Sequence, residues 1–154
     1  MLHHLHREQV LPITLQEAWA FFSSFRNLDL LTPPEVSMEI VHCSSETMQE
    51  GQIIAYRIRL APLVRVSWVT EIKAVEEGRS FIDEQRFGPY KFWHHRHNFT
   101  EVPGGVKVDD LVHYMLPMGP LGEIAHALFV RRKLERIFDF RAQAMERRFG
   151  APLL

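Results

Sequence analysis

From residue 36 to residue 116 the chain repeats with a period of two, and turn-forming residues interrupt it five times. The interruptions are Glu50-Gly51, Ala61-Pro62, Glu76-Glu77-Gly78, Gly88-Pro89 and Pro103-Gly104-Gly105. They divide the stretch into strands expected over 36–42, 52–60, 64–75, 80–87, 90–101 and 106–116. Short turns between successive strands leave an antiparallel meander as the simplest topology. A sheet of that size has one face to bury, so the rest of the chain must cover it.

The flanks supply the cover. Residues 6–11 alternate as a first strand, stopped by Pro12-Ile13-Thr14. Thr14 followed by Glu17 has the form of a capping box and predicts a helix with Ala18, Trp19, Phe21, Phe22 and Phe25 on its apolar stripe. A second short helix is expected over 27–31, ended by Pro33-Pro34. Pro117 closes the sheet, and Pro120 suits the first turn of a long helix that runs to Phe149 and stops at Gly150. Its predicted stripe is Leu121, Ile124, Leu128, Leu134, Ile137, Phe138, Met145 and Phe149. Arg131, Arg132, Lys133, Arg136, Arg147 and Arg148 form a basic outer face, either solvated or suited to an acidic partner or anionic headgroups.

The expected class is therefore α+β: seven antiparallel strands curved around a long C-terminal helix, with two short helices after the first strand. At 154 residues the chain suits one domain, 1–154. A net charge of −1 gives no bulk attraction to nucleic acid. Cys43 is the single cysteine, so no internal disulfide can form. No secretory signal and no apolar run of about 18 residues is seen, so a cytoplasmic location without stable membrane insertion is expected. P-loop, dinucleotide and nucleophile-elbow motifs are absent, and no cofactor is expected.

Strand alternation groups the polar residues. Trp93, His95, His97 and Phe99 share one face, as do Phe81, Asp83, Gln85 and Phe87, and again Val108, Asp110, Val112 and Tyr114. If these faces turn inward, Asp83, Gln85, His95, His97, Asp110 and Tyr114 meet among aromatic residues. Asp110 beside His95 or His97 would fix a tautomer or hold a histidine protonated. The cluster then satisfies itself inside the core, orients a ligand, or moves protons, with His95, His97 and Asp110 as the catalytic candidates. His95-x-His97 with Asp110 has a zinc-compatible composition, but the spacing is common by chance in a chain with nine histidines, and no metal is expected. Arg141, one turn after Ile137 and Phe138, needs a carboxylate: Asp83, Asp110, Glu84 or that of a ligand. The segment from Met115 to Gly122 is a stiff hinge or a gate.

Several of these strings resemble the SRPBCC superfamily, which includes START lipid-transfer domains, birch-allergen-like proteins and polyketide cyclases. They are Gly88-Pro89-Tyr90 with the alternating residues after it, Phe81-x-Asp83-x-Gln85, and Asp110-x-Val112-x-Tyr114-x-Leu116-Pro117. Ile137-Phe138-x-x-Arg141, Asn27-Leu28 and Leu31-Thr32-Pro33 add to them. The resemblance implies a helix-grip fold and a pocket for a small hydrophobic or amphipathic ligand, lipid- or polyketide-like. Tyr56, Trp68, Trp93, Phe99 and Phe138 would give apolar contact; Asp83, Gln85, His95, His97, Asp110, Tyr114 and Arg141 would orient the polar end. A cyclase or dehydratase and an interaction module with a filled core are the alternatives, and binding without catalysis is the preferred reading. Some relatives occur beside or fused to nucleotide-sugar-epimerase-like domains, which suggests such a protein as a partner. Function inferred from fold remains analogy.

Overall fold

The computed structural model describes residues 1–151. Its elements are β1 (His3–Leu11), α1 (Leu15–Phe22), a 3-10 segment (Phe25–Leu31), β2 (Met38–Cys43), β3 (Ile53–Ala61), β4 (Val64–Glu76), β5 (Ser80–Phe87), β6 (Phe92–Val102), β7 (Gly105–Met115), α2 (Pro120–Ala125), a π-helical turn (His126–Val130) and α3 (Arg131–Phe149). The strands form one antiparallel sheet in the order β1-β7-β6-β5-β4-β3-β2. Consecutive strands from β2 onwards pair as hairpins, while β1 closes the far edge against β7. The stretch through α1 and the 3-10 segment carries the chain between the two edges. This is the helix-grip architecture. No helix among the described residues is long and apolar enough to cross a membrane.

Local chemistry explains the element boundaries. Glu17 N donates to Thr14 Oγ1 at 3.2 Å and Thr14 N donates to Glu17 Oε2 at 2.8 Å, which completes the capping box of α1. Gly150 ends α3 with φ 92, a left-handed conformation that glycine adopts freely. On the inner face of the sheet, Ile54, Tyr56, Ile58, Ile72, Phe81 and Phe99 pack against Phe21, Phe22, Phe25 and Met145. A second cluster joins Trp93, Val112 and Tyr114 to Leu134 and Phe138 of α3.

Five expectations need correction. The second short helix is a 3-10 segment that already begins at Phe25. Val36 is buried but precedes β2, because Val36 N bonds back to Pro33 O and Ser37 takes a positive φ of 41. Phe87 is 65% exposed rather than inward, since a register shift at Val69 and Thr70 breaks the alternation at the end of β5. The front of the long-helix stripe is also outside: Leu121, Ile124 and Leu128 are all more than half exposed. Leu121 and Leu128 already lie more than about 100° from Leu134 on an unbroken helical period; Ile124 is turned out by the π turn. That turn inserts one residue, which rotates everything before it by about 100° relative to α3. Ile124 moves to the side opposite Leu134, and His126 moves into line with it. Lys133 likewise leaves the basic outer face; its Nζ donates to the Leu60 carbonyl across the mouth of the sheet.

Gly105 marks where β1 and β7 meet most tightly. A Cβ there would stand 2.0 Å from Leu11 O, and φ is 148. Gly105→Ala is expected to lower the unfolding free energy by about 1–3 kcal/mol through overpacking. Urea denaturation followed by circular dichroism checks this; an unchanged midpoint would show that the strand edge gives way without cost.

Candidate functional site

The inner face of β5, β6 and β7 carries four polar residues whose arrangement follows from the ladder register. Asp83 lies directly opposite His95, and His97 lies directly opposite Asp110. Side chains two apart in a strand share a face, so each histidine also meets the other aspartate on the diagonal. The result is a closed ring. His95 Nε2 is 3.0 Å from Asp110 Oδ1 and His95 Nδ1 is 3.3 Å from Asp83 Oδ2. His97 Nε2 is 2.7 Å from Asp83 Oδ2, and His97 Nδ1 is 2.9 Å from Asp110 Oδ1 although poorly aligned for a hydrogen bond. Each of the four ring nitrogens thus has a carboxylate oxygen within 3.3 Å.

Aromatic walls hold the ring in place. The two imidazoles stand 3.8 Å apart, centroid to centroid, and Phe81 stacks on His97 at 4.2 Å. Phe138 meets His95 edge-on. Trp93 Nε1 donates to Asp83 Oδ1 at 3.2 Å. Arg141 of α3 approaches from the opposite side, with Nε 3.4 Å from Asp110 Oδ2. Its guanidinium lies over the rings of Phe22 and Phe138.

Burial makes these charges interdependent. Burial alone would lower the His95 pKa, but the charge of Asp83 and hydrogen bonds to both aspartates outweigh it and raise the pKa. Burial would raise Asp83, yet the charge and hydrogen bond of His95 and the bond from His97 hold its carboxyl below the usual range. Asp110 is held well below its ordinary value in spite of burial, by the Arg141 charge and by hydrogen bonds from both histidines. A His95 imidazolium and the Arg141 guanidinium therefore balance two carboxylates. A buried cluster with no net charge avoids the several kcal/mol that each unpaired buried ion costs.

The cluster opens onto a cavity of about 220 Å³ between sheet and α3. Of the residues singled out from sequence, Tyr56, Trp68, Asp83, Trp93, His95, His97, Phe138 and Arg141 line it. Four stand apart. Asp110 sits behind the histidines, 3% exposed. Phe99 packs on Trp19 and Phe22 in the core. Gln85 spends its amide on the backbone of Tyr90, and the Tyr114 hydroxyl bonds to His126 Nε2 at 2.8 Å. Tyr90, Phe22, Phe25 and Lys133 also line the cavity and were not anticipated. Lys133 had a signal: it lies four and eight residues before Ile137 and Arg141, on one helical face. Ligand atoms of Asp83, His95 and His97 lie close enough together for a cation, but Asp110 and Arg141 already compete for the same charges.

Among polar atoms at the cavity wall, Arg141 stands out. It is 7% exposed, and its Nε, 3.4 Å from Asp110 Oδ2, is poorly aligned for a hydrogen bond. Tyr56 adds a phenol whose pKa is pushed up by burial and by the Asp83 charge, so it remains a neutral hydroxyl at all ordinary pH.

No family model matches the chain, and no curated protein matches it. Solved structures do. A structure of the KanY protein superposes with a TM-score of 0.72 at 9% identity, covering 98% of this chain and 99% of that one. A point mutant of norcoclaurine synthase from Thalictrum gives 0.63 at 11% identity, with 96% of each chain covered. The two-domain ARO/CYC StfQ of the steffimycin biosynthetic pathway gives 0.69 at 12% identity; the match takes in 97% of this chain and 51% of that longer one. Ara h 8.0201 gives 0.61 at 20% identity, over 94% and 98% of the two chains. These likenesses establish the helix-grip fold that the motif resemblance implies.

The pKa directions fix a pH dependence. His95 contributes stability below its ordinary value of 6.5 and loses it as pH rises through the raised value. Asp83 and Asp110 contribute above their ordinary 3.8 and lose it as pH falls through the lowered values. Unfolding free energy is therefore expected to fall on both sides of a mildly acidic plateau. His95→Gln should flatten the alkaline limb, as read from urea midpoints across pH; an alkaline limb of unchanged slope in that variant would assign the effect elsewhere.

Proposed function

We propose that the protein binds a small apolar or amphipathic molecule, lipid- or polyketide-like, between the sheet and α3, and that Arg141 receives an oxygen acceptor on that molecule. The observation that carries this reading is a largely apolar cavity whose wall includes the buried Arg141, a guanidinium whose Nε faces Asp110 Oδ2 at 3.4 Å without a well-aligned hydrogen bond. A ligand oxygen that bonds the guanidinium gains a charge-assisted hydrogen bond in a site shielded from water. Tyr56 lines the cavity from the sheet, across from α3, and its hydroxyl can take a second polar group of the ligand. The volume suits a one- or two-ring compound or a short chain, since an apolar cavity of about 150 Å³ already admits benzene.

Two structural neighbours are named as a synthase and an ARO/CYC, so the same fold is compatible with catalysis. In this chain both ring nitrogens of His95 and of His97 lie within 3.3 Å of a carboxylate oxygen. Both imidazoles are thereby directed at Asp83 and Asp110 rather than at a ligand in the cavity. Binding without turnover is therefore the reading we favour.

Native mass spectrometry beside analysis of a solvent extract should show a copurified small molecule at near-stoichiometric amount. Tyr56→Phe should weaken a ligand with an oxygen acceptor by about 0.5–1.5 kcal/mol, and Arg141→Met by about 1.5–3 kcal/mol, read as shifts in titration midpoints. Empty protein, with no thermal shift across one- and two-ring acids, ketones and short fatty acids, would overturn the reading.

A further inference from the structure

A second group of polar residues lies away from the cavity, where β1 meets the start of the long helical segment. Glu123 and His126 are one turn apart, so they share a face of α2. The rotation introduced by the π turn sets His126 in line with the gripping face of α3, towards β1. His3, at the start of β1 and paired in register with Tyr114, meets them there. His3 Nε2 is 3.0 Å from Glu123 Oε2, and the His3 and His126 rings stack at 3.6 Å with 14° between their planes. One ligand atom from each of His3, Glu123 and His126 lies within 4.8 Å of the others, and all three residues are half-buried.

We propose that His3, Glu123 and His126 form a binding site for Zn²⁺. Two imidazoles and a carboxylate are a donor set that zinc accepts, and three protein ligands leave the fourth tetrahedral position to water. The surroundings supply supports that such sites need. Tyr114 Oη bonds to His126 Nε2 at 2.8 Å, a contact that fixes the ring and leaves Nδ1 unengaged. Glu123 keeps Oε1 for the Met1 amine, 2.7 Å away, while Oε2 points at His3.

The two other clusters of suitable composition are poorer hosts. The ring of Asp83, His95 and His97 is already compensated by Asp110 and Arg141. His6, Glu8 and Asp109 are largely exposed, and Glu8 is paired with Lys107. The His3 group, by contrast, borders a cleft lined by Leu5, Arg7, Tyr114 and Leu134 that admits an ion from solvent. Leu134 also forms part of the ligand cavity wall. An ion here would fasten the front of the long helix to the β1–β7 edge next to that cavity. The inference does not depend on what the cavity binds.

The test uses tag-free protein stripped with a chelator, titrated with ZnCl₂ by calorimetry, with Co²⁺ as a spectroscopic substitute. One equivalent should bind, raise the thermal midpoint, and give the visible absorption of a four-coordinate Co²⁺. His3→Ala and His126→Ala should each weaken binding at least about tenfold, the lower range for losing part of a metal site. Their midpoints in chelator should stay near that of the parent, and Glu123→Gln provides a third variant if either fails to fold. Absence of saturable binding overturns the proposal. So does binding that survives all three substitutions, or that follows His97→Gln or His6→Ala instead.

Discussion

The buried ion cluster of Asp83, His95, His97, Asp110 and Arg141 ties the sheet to the helix that covers it. Three strands and α3 meet there, and no partner can leave without stranding a charge. Removing one member of a buried pair typically costs about 3–5 kcal/mol, whereas replacing the whole set by well-packed apolar residues is often neutral. The cluster is thus a poor device for stability alone. Its effect is positional: it fixes the rotation of α3 against β5 to β7 and leaves the guanidinium of Arg141 at the cavity wall.

Electrostatics and packing reinforce one another at this point. Phe81, Phe138 and Phe22 exclude water from the ring, which strengthens each charge-assisted contact. The same aromatics line the cavity, so the wall that offers an apolar surface to a ligand also keeps the polar cluster ordered. At the start of α3, the π turn rotates Ile124 outwards and His126 inwards. One inserted residue therefore separates the half of the helix that grips from the half that projects.

Much of this was legible in the sequence because strand periodicity is strict. Alternation placed Phe81 with Asp83, Trp93 with His95, His97 and Phe99, and Val108 with Asp110, Val112 and Tyr114 on shared faces, leaving open whether those faces turn inward, and Thr14 with Glu17 marked α1. Periodicity could not reveal that Asp83 and His95 stand opposite one another; only the ladder register sets that. It failed at Phe87, where a register shift interrupts the alternation, and at Ile124, where a π turn breaks the helical period. Both are single-residue insertions, and an insertion leaves composition and local propensity unchanged. Gln85 and Tyr114 share a strand face with site residues, yet each bonds elsewhere, to the Tyr90 backbone and to His126. Those partners lie in a turn and a helix whose placement the strand pattern does not describe.

The most direct measurement is long-range proton–nitrogen correlation NMR of His95 as a function of pH. The expected result is a titration displaced above the ordinary 6.5, so that at pH 6.5 the ring is mainly protonated on both nitrogens. A His95 that shows one unprotonated nitrogen at that pH, or titrates at or below 6.5, would contradict the imidazolium between Asp83 and Asp110 and free a lone pair for acid–base chemistry.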